Sequence, residues 1–417
     1  TVFAPYDIHD VSIEGLDVVV NTPKVAAYRA PGAPIAAFAA ESVLDELAAE
    51  LSIDPIELRY RNAVEEGTES TYGPTFKRIG FKETLEAIKD HPHYSAPLGP
   101  NQGRGVASGF WFNAGLDSSA TVSIHEDGTA SVLTGSPDIG GSRASMALMA
   151  AEVLGIDETR IRPSIVDTDS IGYTDVTGGS RVTFATGMAV VEACGEIVNT
   201  LRSRAATMWG IDVEEVEWQH GQAQQKSGAE PPLSLGQIAS SAPKTGGPIT
   251  ATALLPERGV GPAFSTQDRD VEVDPETGLV KVLRYTTAQD AGRAIHPGYV
   301  EGQMQGGVVQ GIGWALNEEY IYDESGRMEN PMFLDYRMPV ASDLPMIDTV
   351  IVEVANPGQP YGVRGVGEVG IGPPLAALAN AIHAATGVRM RELPMSPPKV
   401  IAEMKRSANG GASAPAG

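Results

Sequence analysis

The stretch Gly362-Val-Arg-Gly-Val-Gly-Glu-Val-Gly-Ile-Gly-Pro-Pro374 decides the fold of this chain, because it sets one carboxylate, Glu368, among five glycines. Glycine destabilises helices and strands, and it is used where the backbone needs a positive φ or a close approach to another group. Leu375, Leu378 and Ile382 follow at the spacing of a buried helix face. The pattern predicts that Glu368 lies in a loop before a helix, beside a ligand. A carboxylate in this position can act as a general base. Alternatively, it can be favoured there only by the dipole of the helix that follows.

The same run contains a formal G-x-G-x-x-G motif at Gly365, Gly367 and Gly370, and Glu392 lies where a ribose-binding acid would be expected. A dinucleotide-binding motif follows a buried strand directly. The nearest apolar strand, Thr349–Val354, is separated from Gly365 by ten residues. A nicotinamide site is therefore the weaker alternative.

Composition and charge narrow the classes of function. The chain has 417 residues, and its 30 basic and 53 acidic residues give a formal charge of −23. This balance disfavours nucleic acid or an anionic membrane surface as a partner. No apolar run approaches the roughly 18 residues of a membrane span. Thr1–Tyr6 lacks the basic start of a signal peptide, so we predict a cytoplasmic location.

Cysteine and histidine usage excludes most metal centres that this chain could build from its own side chains. A single cysteine, Cys194, cannot form an internal disulfide, an iron–sulfur cluster or a cysteine zinc site. It lies at helical spacing with Val190, Ile197 and Leu201, which predicts core packing. The seven histidines form no H-x-x-x-H pair. We predict no protein metal ligands, so a metal would be held mainly by other groups.

The first part of the chain is predicted to be helical. Pro34–Leu51 has the spacing of an amphipathic helix, and a second helix begins after Asp54 as N-cap. The residues predicted to face inward on the first helix are Ile35, Phe38, Leu44, Leu47 and Leu51. Residues 97–105, rich in glycine and proline, are predicted to link two lobes. The small residues 407–417 are predicted to form a disordered tail.

Two hairpins about 150 residues apart suggest an internal duplication. Alternating apolar residues flank Asp127-Gly128 in the first hairpin and Asp274–Gly278 in the second. Each hairpin is followed by an Asp-x-Gly loop, Asp138–Gly141 and Asp290–Arg293, and then by an apolar helix. The pattern predicts two related α+β units that face each other.

The helix of the second unit, Val300–Trp314, is unusually rich in glycine. Gln303, Gly307 and Gln310 fall at i, i+4 and i+7 and share one face. Interior glycines cost about 1 kcal/mol each relative to alanine, so they imply that a backbone or a ligand comes close. A polar, planar ligand would satisfy the two glutamines, whereas tight helix packing with solvated glutamines is an equal alternative.

Several motifs, in this order along the chain, resemble those of the molybdenum hydroxylases, the xanthine dehydrogenase and aldehyde oxidase family. Ala27–Pro34 is similar to the family segment A-[FY]-R-x-x-G-x-P. The other matching segments are Asp290–Pro297, Val300–Gln303, Val309–Gly313, Asn330–Pro339 and Gly365–Glu368. The resemblance covers nearly the whole chain except the tail.

The resemblance implies an α+β fold made of two related mixed α/β lobes that bind molybdopterin. Residues 1–96 would be the end of the first lobe, 97–105 the linker, 106–406 the second lobe and 407–417 the tail. The implied cofactor is molybdopterin, in its cytosine dinucleotide form, with molybdenum held by the pterin dithiolene. The implied reaction is the hydroxylation of an aldehyde or an N-heteroaromatic, purine-like carbon with water as the oxygen source.

The resemblance also assigns residues. The family's glutamate base, carried onto Glu368, takes the proton of the water-derived oxygen that attacks the substrate carbon. Arg29 and Pro31 lie in the motif near the active centre. The residues expected to bind cofactor are Ala30, Gly140, Gly141, Ser142, Gln303, Gln310 and Gly367.

The chain departs from the family pattern in several places. The N-terminal region and the G-G-x-F-G loop are absent, so the chain resembles the C-terminal portion of the large subunit. Asp138-Ile-Gly-Gly-Ser142 lacks the glutamine of D-x-G-Q-G, and Pro31 replaces the aromatic residue of purine-oxidising members. The expected partners are a polypeptide carrying the rest of the molybdopterin site, a [2Fe-2S] subunit and an FAD subunit. A non-catalytic paralogue that binds cofactor or a partner is the alternative function.

Overall fold

A computed structural model describes residues 2–256, 259 and 261–409 of the chain. Its helices are α1 (Ala33–Glu50), α2 (Pro55–Arg61), α3 (Phe81–Asp90), α4 (Ser142–Leu154), α5 (Gly187–Trp209), α6 (Leu235–Ser240), α7 (Ala242–Thr245), α8 (Pro297–Leu316), α9 (Pro374–Thr386) and α10 (Pro397–Ala408). Its strands are β1 (Gln102–Trp111), β2 (Ser118–Ile124), β3 (Ala130–Thr134), β4 (Ile161–Ile165), β5 (Val216–Gln219), β6 (Gln222–Gln225), β7 (Leu233–Ser234), β8 (Thr250–Leu255), β9 (Ala263–Val273), β10 (Val280–Asp290) and β11 (Ile347–Val352). None of the described helices is long and apolar enough to cross a bilayer.

The strands form two four-stranded sheets and a small third sheet. Their orders are β1-β9-β10-β11, β4-β3-β2-β8 and β5-β6-β7. The first sheet is covered by α9 on one face and by α3 on the other. The second sheet packs on α4 and α5 around the largest apolar cluster. The predicted mixed α/β architecture is confirmed.

The internal duplication is confirmed in the topology. In each unit an antiparallel hairpin, β2-β3 or β9-β10, leads through a loop into a helix and then into a strand parallel to the second hairpin strand. The crossover helices are α4 and α8. The loops that enter these helices are the predicted ones, Asp138–Gly141 and Asp290–Arg293. Equivalent ends of the two units therefore carry equivalent loops.

Helix α9 follows the glycine run as predicted. Pro374 lies in its first turn, Gly387 ends it at φ 74°, and Leu375, Leu378 and Ile382 are fully buried. The helix lies directly on β1: a Cβ at Gly103 or Gly105 would come within 2.2 Å of a carbonyl oxygen of α9. These two glycines belong to the predicted linker 97–105, whose last four residues open β1. Both lie in β1, where the lack of a side chain allows α9 to pack directly on the strand.

The predicted inward face of α1 is wrong for Ile35, Leu47 and Leu51 and confirmed for Phe38 and Leu44, which pack against apolar core clusters. Ile35, Leu47 and Leu51 are exposed by 55%, 46% and 57%, while Phe38 and Leu44 are half-buried. Small residues and Glu41 form the buried side instead, because α1 packs closely on α9 and β1. The Glu41 carboxylate pairs with the buried Arg59 at 2.8 Å. An apolar repeat marks a helix, but it does not say which side the protein covers.

Two other predictions about segments can be compared with the structure. Cys194 is buried in the core of α5, as predicted, and burial raises the pKa of its thiol to about 12. Ser407 and Ala408, from the predicted disordered tail, form the end of α10. Residues 410–417 lie outside the described residues.

Candidate functional site

A cavity of about 930 Å³ lies where the loops of the two units meet. Its walls come from the segment around Arg29, the loops near residues 112–116 and 176–183, the N-terminal parts of α4 and α8, and the glycine run. Among the residues singled out in the sequence, those that line it are Arg29, Pro31, Gly140, Ser142, Gln303, Gln310, Gly367 and Glu368. Residues spread over 340 positions of the sequence are therefore brought to one cavity.

Glu368 lies in the loop that precedes α9, with both carboxylate oxygens engaged. The backbone N–H of Ala30 donates to Oε1 over 3.1 Å, and the hydroxyl of Ser180 donates to Oε2 over 2.8 Å. A single 3₁₀ turn, Val369–Ile371, separates Glu368 from the helix. The carboxylate is thus in the cavity wall, before the first turn of α9 and held by two other segments.

Arg29 joins three parts of the wall. Its guanidinium donates to the carbonyl oxygen of Gln303 over 2.9 Å, to Oε1 of Gln310 over 3.4 Å, and to the carbonyl oxygen of Gly367. Burial lowers the pKa of Arg29 from its ordinary value, and the nearby charge of Glu368 opposes this shift. Arg29 therefore ties α8 to the glycine run beside the carboxylate.

The glycines of α8 pack against the glycine run. A Cβ at Gly307 would come within 2.9 Å of the Gly370 carbonyl carbon, and one at Gly311 within 2.4 Å of Pro374 Cβ. The glycines on this side of α8 thus serve close packing of two backbones. Gln303 and Gln310 lie beside them and line the cavity. Close packing is thus confirmed for the glycines, while ligand binding by the two glutamines stays a prediction.

Gly140 and Gly141 also permit a close approach. Both have left-handed backbone conformations, with φ of 80° and 88°. A Cβ at Gly140 would lie 2.3 Å from Gln303 Nε2, and one at Gly141 would lie 2.5 Å from the Tyr299 ring. Any other residue would be strained in this backbone conformation and would require the Gln303 or Tyr299 side chain to move. The loop before α4 and the first turns of α8 are therefore fitted to each other.

The cavity wall suits a ligand with polar edges. Trp111 Nε1 and Thr177 Oγ1 are buried without a hydrogen-bond partner, although both residues line the cavity. An unpaired buried donor or hydroxyl costs about 1 to 3 kcal/mol, which a ligand with polar edges would relieve. Across the described ranges, the one group of three His, Cys, Asp or Glu side chains spaced for a metal lies elsewhere. The donor set fits an organic cofactor.

Sequence reasoning missed Ser180 and Asn113. The Asn113 side chain donates to the carbonyl oxygen of Gly365 over 3.1 Å, and this hydrogen bond helps to hold the glycine run in place. Ser180 follows two glycines and precedes an apolar helix, the same signal as in the Glu368 run, but on a weaker scale. Glu392, the ribose-binding acid of the weaker nicotinamide alternative, is exposed, pairs with Lys399 at 2.8 Å and does not line the cavity.

The group of ligand-type side chains outside the cavity consists of His93, Asp268 and Asp270, all buried. Arg104 already supplies a cation to this group: its Nε and Nη2 donate to the two oxygens of Asp270 over 2.8 and 2.9 Å. His93 Nε2 lies 3.1 Å from Asp270 Oδ2. Both oxygens of Asp268 lack a hydrogen-bond partner. The group is an ion-pair network in which the Asp268 carboxylate lacks hydrogen bonds.

We predict that Asp268→Asn stabilises the protein, and more so at alkaline pH. Burial raises the pKa of Asp268 to about 6, against which His93 and Arg104 act. A carboxyl group whose pKa is raised on folding disfavours the folded state increasingly as pH rises from about 4 to about 6. Unfolding at pH 8 should then show a gain of about 1 to 2 kcal/mol, shrinking towards pH 5.

Asp270→Asn is the matched control for this prediction. Burial opposes ionisation of Asp270, but hydrogen bonds from His93 and Arg104 lower the pKa of this carboxyl below its ordinary value. Its contribution to stability is present above the unfolded pKa and is lost as pH falls. Asp270→Asn should therefore destabilise at pH 8. A loss of stability in both variants would contradict this account of Asp268.

Comparisons with known proteins identify the class that this cavity and fold define. Two family models, each described as a molybdopterin cofactor-binding domain, match residues 78–345 and 1–63. The chain belongs to this family.

Particular relatives agree with this assignment. The xanthine dehydrogenase molybdenum-binding subunit of Escherichia coli O157:H7 is 34% identical over 406 residues, covering 92% of this chain and 54% of that protein. The aldehyde oxidoreductase of Megalodesulfovibrio gigas is 29% identical over 425 residues, covering 96% and 44%. The solved structure of quinoline 2-oxidoreductase from Pseudomonas putida 86 shares the fold, with a TM-score of 0.81 at 23% identity, covering 91% of this chain and 53% of that chain. The chain spans about half the length of the relatives it matches.

Proposed function

We propose that this chain is the C-terminal part of the molybdopterin-binding catalytic subunit of a molybdenum hydroxylase. The reaction would insert an oxygen from water at an aldehyde or N-heteroaromatic carbon. The observation that carries the proposal is the Glu368 carboxylate, which lies in the wall of a large cavity between the amide of Ala30 and the hydroxyl of Ser180. Metal content and substrate-driven reduction of the metal test it.

The residues that would hold the cofactor are those with polar side chains or glycine backbone in the cavity wall or next to it. Gln303 and Gln310 each offer amide donors and an acceptor to a pterin edge. Gly140, Gly141 and Ser142 form the N-terminus of α4, which favours an anionic group such as the diphosphate of a cytosine dinucleotide. When bound, the cofactor's molybdenum supplies the two-electron oxidation and activates the water-derived oxygen.

Glu368 would act as the general base. A carboxylate oxygen that accepts one hydrogen bond keeps a further lone pair, so Oε1 and Oε2 can still take a proton from the cavity side. Because both oxygens are already held, the carboxylate loses little freedom when it reacts. The Arg29 guanidinium donates to the carbonyl oxygen of the neighbouring Gly367, so it helps to fix the backbone that carries this carboxylate.

The side of the cavity available to a substrate is apolar. Trp111, Phe112, Leu116 and Val176 contribute side chains to it. Pro31 also lines the cavity, at the position where purine-oxidising members carry an aromatic ring. An uncharged planar substrate fits such a wall better than a charged one, because burying an unpaired charge is costly. We therefore infer an aldehyde or a small heteroaromatic compound.

The protein is proposed to work with partner polypeptides. The region of the relatives that this chain does not span would supply the rest of the molybdopterin site. Iron–sulfur clusters and FAD would lie on the partners, because the one cysteine of this chain cannot ligate a cluster. Exposed apolar residues such as Val18–Val20, Phe333 and Leu334 would be covered by such partners.

Gln303→Ala and Gln310→Ala are predicted to lower cofactor occupancy. Each change leaves ligand donors or acceptors unpaired, at a cost of about 1 to 3 kcal/mol. Gln305→Ala is the matched control on the same helix, since Gln305 contacts the Ile347 carbonyl oxygen and does not line the cavity. Molybdenum analysis should show a loss in the first two variants and not in the third. Full metal content and activity in both variants would make this face ordinary packing surface.

A further inference from the structure

Ser180 and Ala30, which donate hydrogen bonds to the Glu368 carboxylate, both have unusual backbone conformations. Ser180 has φ 58° and Ala30 has φ 54°, so both are non-glycine residues in the left-handed region. Such residues cost about 1 kcal/mol or more each and persist where the surrounding structure fixes them. Here each one delivers a donor to a different oxygen of the same carboxylate.

The local sequence around Ser180 holds it in that conformation. The carbonyl oxygen of the preceding Gly179 accepts the Ala114 N–H over 2.9 Å. The following residue, Arg181, is fully buried, and its guanidinium donates to the carbonyl oxygens of Asp175 and Val176 over 3.0 and 3.3 Å. A buried arginine that binds backbone oxygens fixes the loop from inside. The loop that carries Ser180 is therefore held in place by hydrogen bonds on both sides of this residue.

The chain then enters α5 through a turn of π-helix, Val182–Thr186. Such turns are rare and are frequently found at functional sites. Val182 and Thr183 line the same cavity as Glu368. The irregular turn therefore lies beside the carboxylate that Ser180 contacts.

The glycine run passes directly over Ser180. A Cβ at Gly365 would lie 2.0 Å from the Ser180 carbonyl oxygen, and one at Gly367 would lie 3.5 Å from Ser180 Oγ. The glycine at 365 is therefore required for the serine loop to reach the carboxylate at all. Two segments nearly 190 residues apart are fitted to bring one hydroxyl to one carboxylate oxygen.

We propose that Ser180 is a positioning residue, which sets the orientation of the Glu368 carboxylate through its hydroxyl. The inference rests on the proposed function, in which Glu368 is the base. Two donors on opposite oxygens restrict rotation of the carboxylate about its last bond, whereas the Ala30 amide alone holds one oxygen. Without the hydroxyl the group samples orientations in which no lone pair faces the reacting atom, and the rate of proton removal falls.

Ser180→Gly is the discriminating variant, because glycine adopts the left-handed backbone readily and removes the hydroxyl together with its Cβ. In the holoenzyme with its partners and at matched molybdenum content, single-turnover reduction by substrate should slow about tenfold, the scale of one lost hydrogen bond to a charged group. The substrate dissociation constant should not change. Ser180→Ala should show the same loss. Ser136→Ala is the control and should not, because it removes a buried hydroxyl that contacts Thr186 and does not line the cavity.

A double-mutant cycle with Glu368→Gln separates the outcomes. If Ser180 acts through Glu368, adding Ser180→Gly to Glu368→Gln should change the rate less than about twofold. An equal tenfold loss in both backgrounds would mean that Ser180 acts elsewhere, which overturns the inference. If Glu368→Gln is slow but Ser180→Gly reduces at the wild-type rate, the inference about Ser180 is also overturned. The proposed function is then unaffected. A wild-type rate in Glu368→Gln removes the proposed base itself.

Discussion

Glu368→Gln is expected to bind cofactor normally and to slow the reduction of molybdenum by substrate about 10²-fold or more, the usual scale for losing a general base. Glutamine keeps the shape of the side chain, and its amide oxygen can still accept the Ala30 N–H. It cannot take up the proton. Single-turnover kinetics at matched metal content measure the effect without interference from later electron transfer.

The alternative role of Glu368 predicts a different outcome. A carboxylate that only favours the N-terminus of α9 contributes about 1 kcal/mol or less to stability and nothing to the reaction. Glu318→Gln is a suitable control, because Glu318 is a half-buried glutamate that binds Tyr336 and does not line the cavity. Reduction at the wild-type rate in Glu368→Gln would remove Glu368 from the mechanism.

The second large effect is expected when the chain is separated from its partners. Purified alone, it should contain almost no molybdenum and show no turnover, because the proposed site is shared with another polypeptide. Its surface supports this expectation: Phe333 and Leu334 are 86% and 87% exposed, and residues 8–28 carry several exposed valines and isoleucines.

Co-expression with the partner chains should restore both metal and activity. Size measurement and metal analysis on the same sample are the test. A monomer of this chain alone that holds molybdenum and oxidises substrate would contradict the shared site.

The parts of the fold that the sequence predicts are those with strong local signals. The glycine run, the prolines and the apolar spacing after it specify a loop and then α9, and the structure has both. The two hairpins carry turn residues and alternating apolar positions, so their pairing follows from local chemistry. The repeat of hairpin, loop and helix also places Asp138–Gly141 and Asp290–Arg293 at equivalent ends.

The parts that escape prediction depend on which surfaces meet. The apolar repeat of α1 suggests burial of Ile35 and Leu51, but the helix turns small residues and Glu41 to its neighbours. Gly103 and Gly105 look like linker residues until α9 is placed on them. Long-range packing decides both cases, and no local pattern encodes it.

The site shows the same division. Glu368, Gln303 and Gln310 stand out because glycine surrounds polar residues in apolar segments. Ser180 does not stand out, because its role comes from a left-handed backbone and a partner nearly 190 residues away. A short Gly-Gly-Ser sequence before an apolar helix is common in loops. Only the geometry distinguishes this one.

Molybdenum and pterin analysis of the intact complex tests the central claim most directly. If the cavity beside Glu368 holds a molybdopterin, the purified complex should contain close to one molybdenum and one pterin for each copy of this chain. Release of a cytosine nucleotide on hydrolysis would support the dinucleotide form. A folded complex with all its subunits that contains neither molybdenum nor pterin would contradict the account.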